Sequence, residues 1–262
     1  MTLNPQISLI LPAYNEATRI ANTVAQAKSY FEAREFSYEI IVSADGNDGT
    51  REIVAKLAQT DPTLCVIGSV ERKGKGHGIR QAIPLAQGEI VGFADADNKT
   101  PIDELDKVLP LLRGDSGRQY DLVIGSRGMT ESKIEKAQPL IRQVGSKGFA
   151  LFMHLVIGLP DIVDTQCGFK FFKRDIARDL FARQQIDGYM YDFEILFLAQ
   201  QAGYKIGQVP VRWRDDGDSR LQMVSGNIRN ARDIFRIRFA TSAKNKLAKK
   251  SSSVSKTKDN KA

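Results

Sequence analysis

The sequence predicts an α/β fold, a mostly parallel sheet flanked by helices, and three observations carry the prediction. Short runs rich in β-branched residues alternate with amphipathic segments of helical length, and strand–helix–strand repetition builds parallel sheets covered on both faces. The 262 residues are 42% apolar, enough for one full core. The longest stretch free of Asp, Glu, Lys and Arg, Met1 to Asn15, holds Asn4, Pro5, Gln6 and Pro12, whereas a bilayer span takes about 20 apolar residues.

The elements follow in order. "ISLIL" (7–11), "YEIIVS" (38–43), "LCVIGS" (64–69), "EIVGFA" (89–94) and "DLVIGS" (121–126) read as strands; Glu16–Glu35, Thr50–Gln59, His77–Ala86 and Ile102–Leu112 read as the helices between and after them. The alternation then weakens. Residues 139–160 read as an apolar-rich helix, "CGFKFF" (167–172) as a strand, Tyr191–Ala202 as a helix and "YKIGQVPVRW" (204–213) as a final strand. No linker divides residues 1–240, which form one expected domain.

Charge separates the remainder. Seven lysines and one aspartate give residues 241–262 a charge of +6, so the net +7 of the chain leaves only +1 for the first 240 residues. The Lys/Ser-rich tail has too little apolar surface to fold and is expected to be disordered. Before it, Ile228, Ala231, Ile234, Phe235 and Phe239 fall near helical spacing with Arg229, Arg232, Arg236 and Arg238 between them. A basic amphipathic helix beside a polybasic tail suits an anionic membrane surface, and packing on its own domain explains the same pattern. A nearly neutral body without an aromatic–basic motif set argues against nucleic acid. No basic start leads into an apolar run, and Cys65 and Cys167 lack CxxC spacing, so neither a signal peptide nor a disulfide framework is expected. The reading is a cytoplasmic protein, peripheral at the cytoplasmic face of a membrane.

Ligands of parallel sheets bind beyond the carboxyl ends of the strands. The first strand ends in "LPAYNEA" and carries no GxGxxG; Walker A is absent throughout. These absences exclude the usual dehydrogenase and P-loop patterns. The second ends in "ADGNDGT", where Asp45 and Asp48 flank a glycine turn that suits a base or ribose, or is simply solvated. The third leads to "ERKGKGHGIR", glycines with Lys73, Lys75 and Arg80 that suit phosphate oxygens or form a charged loop. The fourth ends in "FADADN". Residues i and i+2 of a strand point the same way, so Asp95 and Asp97 direct two carboxylates to one place. Two hard oxygen donors fit a divalent ion that also takes phosphate and water; capping the following helix is the alternative. A nucleotidyltransferase shares this logic but places a Gly-rich basic loop after the first strand, where this chain has "PAYNE".

Taken in order, "LPAYNE", "ADGNDGT", "RKGKG", "DAD" and "GSR" resemble the family 2 inverting glycosyltransferases of GT-A nucleotide-sugar-binding fold. "DTQCGFKFF" (164–172), "YDFE" (191–194) and "VRWRDDGDSR" (211–220) resemble the dolichyl-phosphate β-glucosyltransferases, relatives of the dolichyl-phosphate mannosyltransferases. The likeness covers about Ile7 to Phe239. Ala44 stands where the family usually has the first of two aspartates, and the turn is one residue shorter.

The resemblance implies transfer of a hexose, glucose from UDP-glucose or mannose from GDP-mannose, to a polyprenyl phosphate such as dolichyl phosphate. It implies Mg²⁺ or Mn²⁺ on Asp95 and Asp97. Pro12, Tyr14, Glu16 and Asp45 would line the nucleoside pocket, with Lys75 and Arg220 near the donor phosphates. Arg127, Arg142 and Ser146 would hold the acceptor phosphate, and Asp192 and Glu194 would meet sugar hydroxyls or aid proton transfer. The N-terminal membrane helix of eukaryotic glucosyl relatives is missing, so attachment would come from interfacial helices, the tail or a membrane partner protein.

Overall fold

The computed structural model describes residues 4–115, 117–134 and 158–214. The expected helix over 139–160 for the most part, Arg142, Ser146, Arg220, the C-terminal amphipathic helix and the tail from 241 lie outside the described residues.

Seven strands form one sheet: β1 (Ile7–Tyr14), β2 (Tyr38–Asp45), β3 (Leu64–Ile67), β4 (Ile90–Ala94), β5 (Leu122–Ser126), β7 (Phe169–Lys173) and β8 (Ile206–Pro210). Their order is β3-β2-β1-β4-β7-β5-β8. All pairings are parallel except those of β7, which runs antiparallel to β4 and β5. That reversal matters for the site, because the start of β7 lies beside the end of β4: Phe169 pairs with Ala94. Two short strands, β6 (Lys133–Ile134) and β9 (Arg212–Trp213), make a separate parallel pair. The stretch read as one final strand is therefore two, broken at Val211, whose N–H donates to Ser126 at 3.1 Å.

Helices α1 (Ile20–Ala33), α2 (Thr50–Ala58) and α4 (Leu105–Arg113) cover one face. Their Val24, Phe31, Val54, Leu105 and Val108 pack on Leu9, Leu11, Ile40, Val42 and Phe171. On the other face α3 (Lys75–Ala82), α5 (Arg174–Arg183) and α6 (Tyr191–Ala202) pack Ile79, Leu180, Phe181, Phe193 and Leu196 on Ile10, Ile41, Phe93 and Phe172. The sequence reading assigns no element to 174–183; Ala177, Leu180 and Phe181 make its buried stripe, hidden among charged residues. Helix α6 is buried from Tyr191 to Ala199, as an apolar all-round helix must be. No helix among the described residues is long and apolar enough to cross a membrane.

Candidate functional site

The carboxyl ends of β1, β2, β4 and β5 and the start of β7 form one edge, and Pro12, Tyr14, Asp45, Asp95, Asp97 and Arg127 lie at or just beyond those strand ends. In-register pairing sets Pro12 beside Ser43 and Tyr14 beside Asp45. Asp45 accepts the backbone N–H of Lys73 at 2.8 Å and of Ser69 at 3.3 Å, which folds the β3–α3 loop over this corner. Arg72, from that loop, stacks its guanidinium 4.3 Å from the Tyr14 ring centroid. Asp48 accepts the N–H of Ala17 at 2.9 Å, and the Thr50 hydroxyl accepts the N–H of Glu16 at 3.0 Å. The loops after β1 and β2 are thereby laced together. Arg51 completes the brace by donating to the carbonyls of Ala44, Gly46 and Ser69 at 3.2, 2.8 and 2.6 Å. Neither Arg51 nor Arg72 is signalled by spacing, since a lone arginine carries no pattern.

Glycines of the "RKGKGHG" loop serve packing within the protein. A Cβ at Gly74 would stand 2.3 Å from the Asp187 carbonyl, at Gly76 2.6 Å from Tyr191 Cβ, and at Gly78 2.6 Å from Ser43 Oγ. They seat α3 against the segment before α6 and against β2. Lys75 opens α3 and pairs its ammonium with Asp95. Burial opposes that charge, but the Asp95 and Asp192 carboxylates outweigh it and hold the lysine charged well above its ordinary range.

Asp95 and Asp97 follow β4 directly. The Asp95 N–H donates to the Gly168 carbonyl at 3.0 Å. Asp97 takes the N–H of Lys99 at 3.3 Å and lies 3.4 Å from its ammonium. Burial, then the Asp95 charge, raise the Asp97 carboxyl above its ordinary range, with Lys99 opposing. A buried carboxylate raised by the charge of its neighbour fits a divalent cation, which relieves the repulsion. Among the described residues no third His, Cys, Asp or Glu joins them, so remaining ligands would come from phosphate and water.

Arg127, after β5, grips Asp164 through Nε at 2.7 Å and Nη2 at 2.9 Å, while its own N–H donates to the same carboxylate at 3.0 Å. Its guanidinium also lies 5.4 Å from the Trp213 ring centroid. Burial would lower the arginine pKa, yet the Asp164 charge and hydrogen bonds raise it.

Asp192 and Glu194 are engaged inside the protein. Asp192 forms an ion pair with Lys170 at 2.5 Å, with side chains 1% and 0% exposed. Lys170 also donates to the Cys167 carbonyl at 2.6 Å. Both Glu194 oxygens accept backbone N–H groups, from Gln185 at 2.9 Å and Ile186 at 2.8 Å. The strand reversal at β7 causes this: it brings an inward-facing Lys170 against the first turn of α6, where Asp192 compensates it. Asp164, Gly168 and Lys170 all lie in "DTQCGFKFF", and pairing across β7 fixes Lys170, with Gly168 directly before the strand.

The model of the family described as Glycosyl transferase family 2 matches residues 8–181. A dolichyl-phosphate beta-glucosyltransferase of Trichomonas vaginalis is 33% identical over 88% of this chain and 70% of its own length. That of Dictyostelium discoideum is 31% identical over 90% and 75%, and the human enzyme of that name 31% over 91% and 77%. Among solved structures, the glucosyl-3-phosphoglycerate synthase of Mycobacterium tuberculosis with Mn²⁺, UDP and glucosyl-3-phosphoglycerate gives a TM-score of 0.62 at 20% identity, covering 89% of this chain and 80% of that one. A mannosyltransferase of Pyrobaculum calidifontis with GDP-Man and Mn²⁺ gives 0.59 at 22% identity, covering 93% and 65%. Both share the mostly parallel architecture of the GT-A fold.

Proposed function

Because the chain belongs to glycosyltransferase family 2, we propose that it moves glucose from UDP-glucose to dolichyl phosphate or a related polyprenyl phosphate, with inversion, at a membrane surface. The observation that carries the chemistry is the pair of strand-end carboxylates, Asp95 and Asp97, with Lys75 on the first of them. The choice of glucose and lipid phosphate draws on the names of relatives that match nearly the whole chain.

In this reading Tyr14, Asp45 and Arg72 receive the uridine, with Pro12 and Glu16 shaping the same corner. Asp95 and Asp97 would hold Mg²⁺ or Mn²⁺, whose chemistry is to act as Lewis acid on the departing diphosphate. Lys75 adds charge there, and Arg220 is proposed to join it. A phosphate monoester, with a second pKa of about 6, is an anion near neutrality, so the acceptor needs positioning more than a base. Arg127 is proposed to face the acceptor phosphate, with Arg142 and Ser146 completing the cradle. Asp192 acts through Lys170 and the charge it presents to Lys75, and Glu194 braces the turn before α6.

Initial rates with dolichyl phosphate and equimolar UDP-glucose and GDP-mannose, each labelled differently in the sugar, test the donor. UDP-glucose is expected to supply nearly all lipid-phase label. Faster transfer from GDP-mannose overturns the donor choice.

A further inference from the structure

Each acid at the centre of the edge already has its own cation. Lys75 pairs with Asp95, Lys99 lies 3.4 Å from Asp97, and Lys170 pairs with Asp192. These six side chains sum to zero charge. A divalent cation arriving alone leaves two positive charges uncompensated, in a partly enclosed place where ion–ion energies exceed those in water several-fold. A diphosphate arriving alone leaves the opposite excess. Together they restore the balance.

Lys75 is built to take part in that balance. It stands at the first position of α3, the positive end of the helix dipole, where a cation is disfavoured and an anion welcome. Its main chain is fixed, since Gly74 and Gly76 on either side pack too closely against Asp187, Ile186 and Tyr191 to admit a Cβ. Its side chain is an arm by contrast. The ammonium lies 5.9 Å from the ring centroids of both Phe93 and Tyr191, and a quarter of the side chain is exposed. A compact ammonium on a four-carbon stem exchanges one oxygen partner for another without a fixed fork geometry.

We propose that Lys75 is an internal counter-ion for Asp95 that passes to the donor's diphosphate when a divalent cation takes the carboxylate. This rests on the reading of Asp95 and Asp97 as metal carboxylates given above. Cation and nucleotide then bind as a pair, each strengthening the other through the lysine, and the coupling is reciprocal.

Mn²⁺ binding to the full chain, followed by the electron paramagnetic resonance of free Mn²⁺ with and without UDP and corrected for the Mn²⁺–UDP complex, tests the proposal without turnover. In the wild type UDP is expected to tighten Mn²⁺ at least tenfold; a smaller effect overturns the proposal with no variant needed. Lys75→Met is expected to bind Mn²⁺ alone at least tenfold tighter, and its UDP enhancement is expected to fall at least tenfold below the wild-type value. Simple removal of a nearby charge raises Mn²⁺ affinity equally with and without UDP, and an unchanged enhancement in Lys75→Met and Lys75→Gln overturns the exchange. Wild-type protein that binds no Mn²⁺ in either condition overturns the metal reading itself, and the proposal with it, a result distinct from tight but uncoupled binding.

Discussion

Gly168→Ala is the substitution whose effect the structure sizes most directly. Gly168 begins the antiparallel approach of β7 to β4, and its carbonyl accepts the Asp95 N–H at 3.0 Å. A Cβ built there would stand 2.0 Å from Asp95 Oδ2, 2.3 Å from Cγ and 2.5 Å from Oδ1. Ordinary contact begins at 3.4 Å, so the carboxylate must retreat from 2.0 to 3.4 Å, about 1.4 Å. Asp95 has room to do so, because its side chain is 41% exposed. The protein is therefore expected to fold, with a stability loss at or below the usual overpacking range of about 1–3 kcal/mol. A reacting group misplaced by about 1 Å costs on the order of 10²-fold in rate, and that is the expected fall in kcat for sugar transfer. Mn²⁺ affinity measured in the presence of UDP is expected to fall with it. Gly188→Ala, where a Cβ meets nothing within 4 Å, is the control and should keep the wild-type rate. Transfer within threefold of wild type in Gly168→Ala, with unaltered Mn²⁺ affinity, refutes the argument that β7 sets the Asp95 carboxylate for catalysis.

Other substitutions separate chemistry from scaffold. Asp95→Asn and Asp97→Asn are each expected to lower transfer by at least about 10²-fold while thermal unfolding shifts little, as checked by steady-state rates and calorimetry. Lys170→Met leaves Asp192 buried and unpaired and is expected to cost about 3–5 kcal/mol in urea unfolding, with much of it recovered in Lys170→Met/Asp192→Leu. Asp164 responds to pH: burial pushes its carboxyl up, but Arg127 outweighs burial and holds it below the usual range. A depressed carboxylate contributes stability above its unfolded pKa of about 3.9 and loses it as pH falls through the folded value. Asp164→Asn is thus expected to be less stable than wild type at pH 7, the two curves converging below about pH 4.

Much of the edge was legible in the sequence because strand ends are a local signal. Asp95 and Asp97 follow the apolar run "IVGFA" of β4, and Tyr14 and Asp45 pair in register as the last residues of β1 and β2. The glycines around Lys75 were legible as close-approach residues, but whether a ligand or protein backbone approaches depends on where the segment before α6 comes to rest, which is set by tertiary packing. The partner of Arg127, Asp164, is 37 residues away, so no local pattern shows their ion pair beside the phosphate role that the resemblance implies. The partner of Asp192 is equally out of local reach, because Lys170 lies on a strand whose reversed direction no local pattern encodes. The helix Arg174–Arg183 was obscured by charges on its outer face, and β6 pairs with a β9 that lies 79 residues further on, from Lys133 to Arg212, beyond the reach of any window.

In the proposed reaction this sheet edge joins a sugar from a nucleotide donor to a lipid phosphate. Purified protein of residues 1–262 incubated with dolichyl phosphate, UDP-glucose and Mn²⁺, with mass spectrometry of the organic phase and the anomeric proton coupling of the product, is the decisive test. The expected product is a lipid species heavier than dolichyl phosphate by one hexose residue, β-linked and dependent on Asp97. An α-linked product contradicts inversion, and intact dolichyl phosphate beside consumed UDP-glucose contradicts the acceptor.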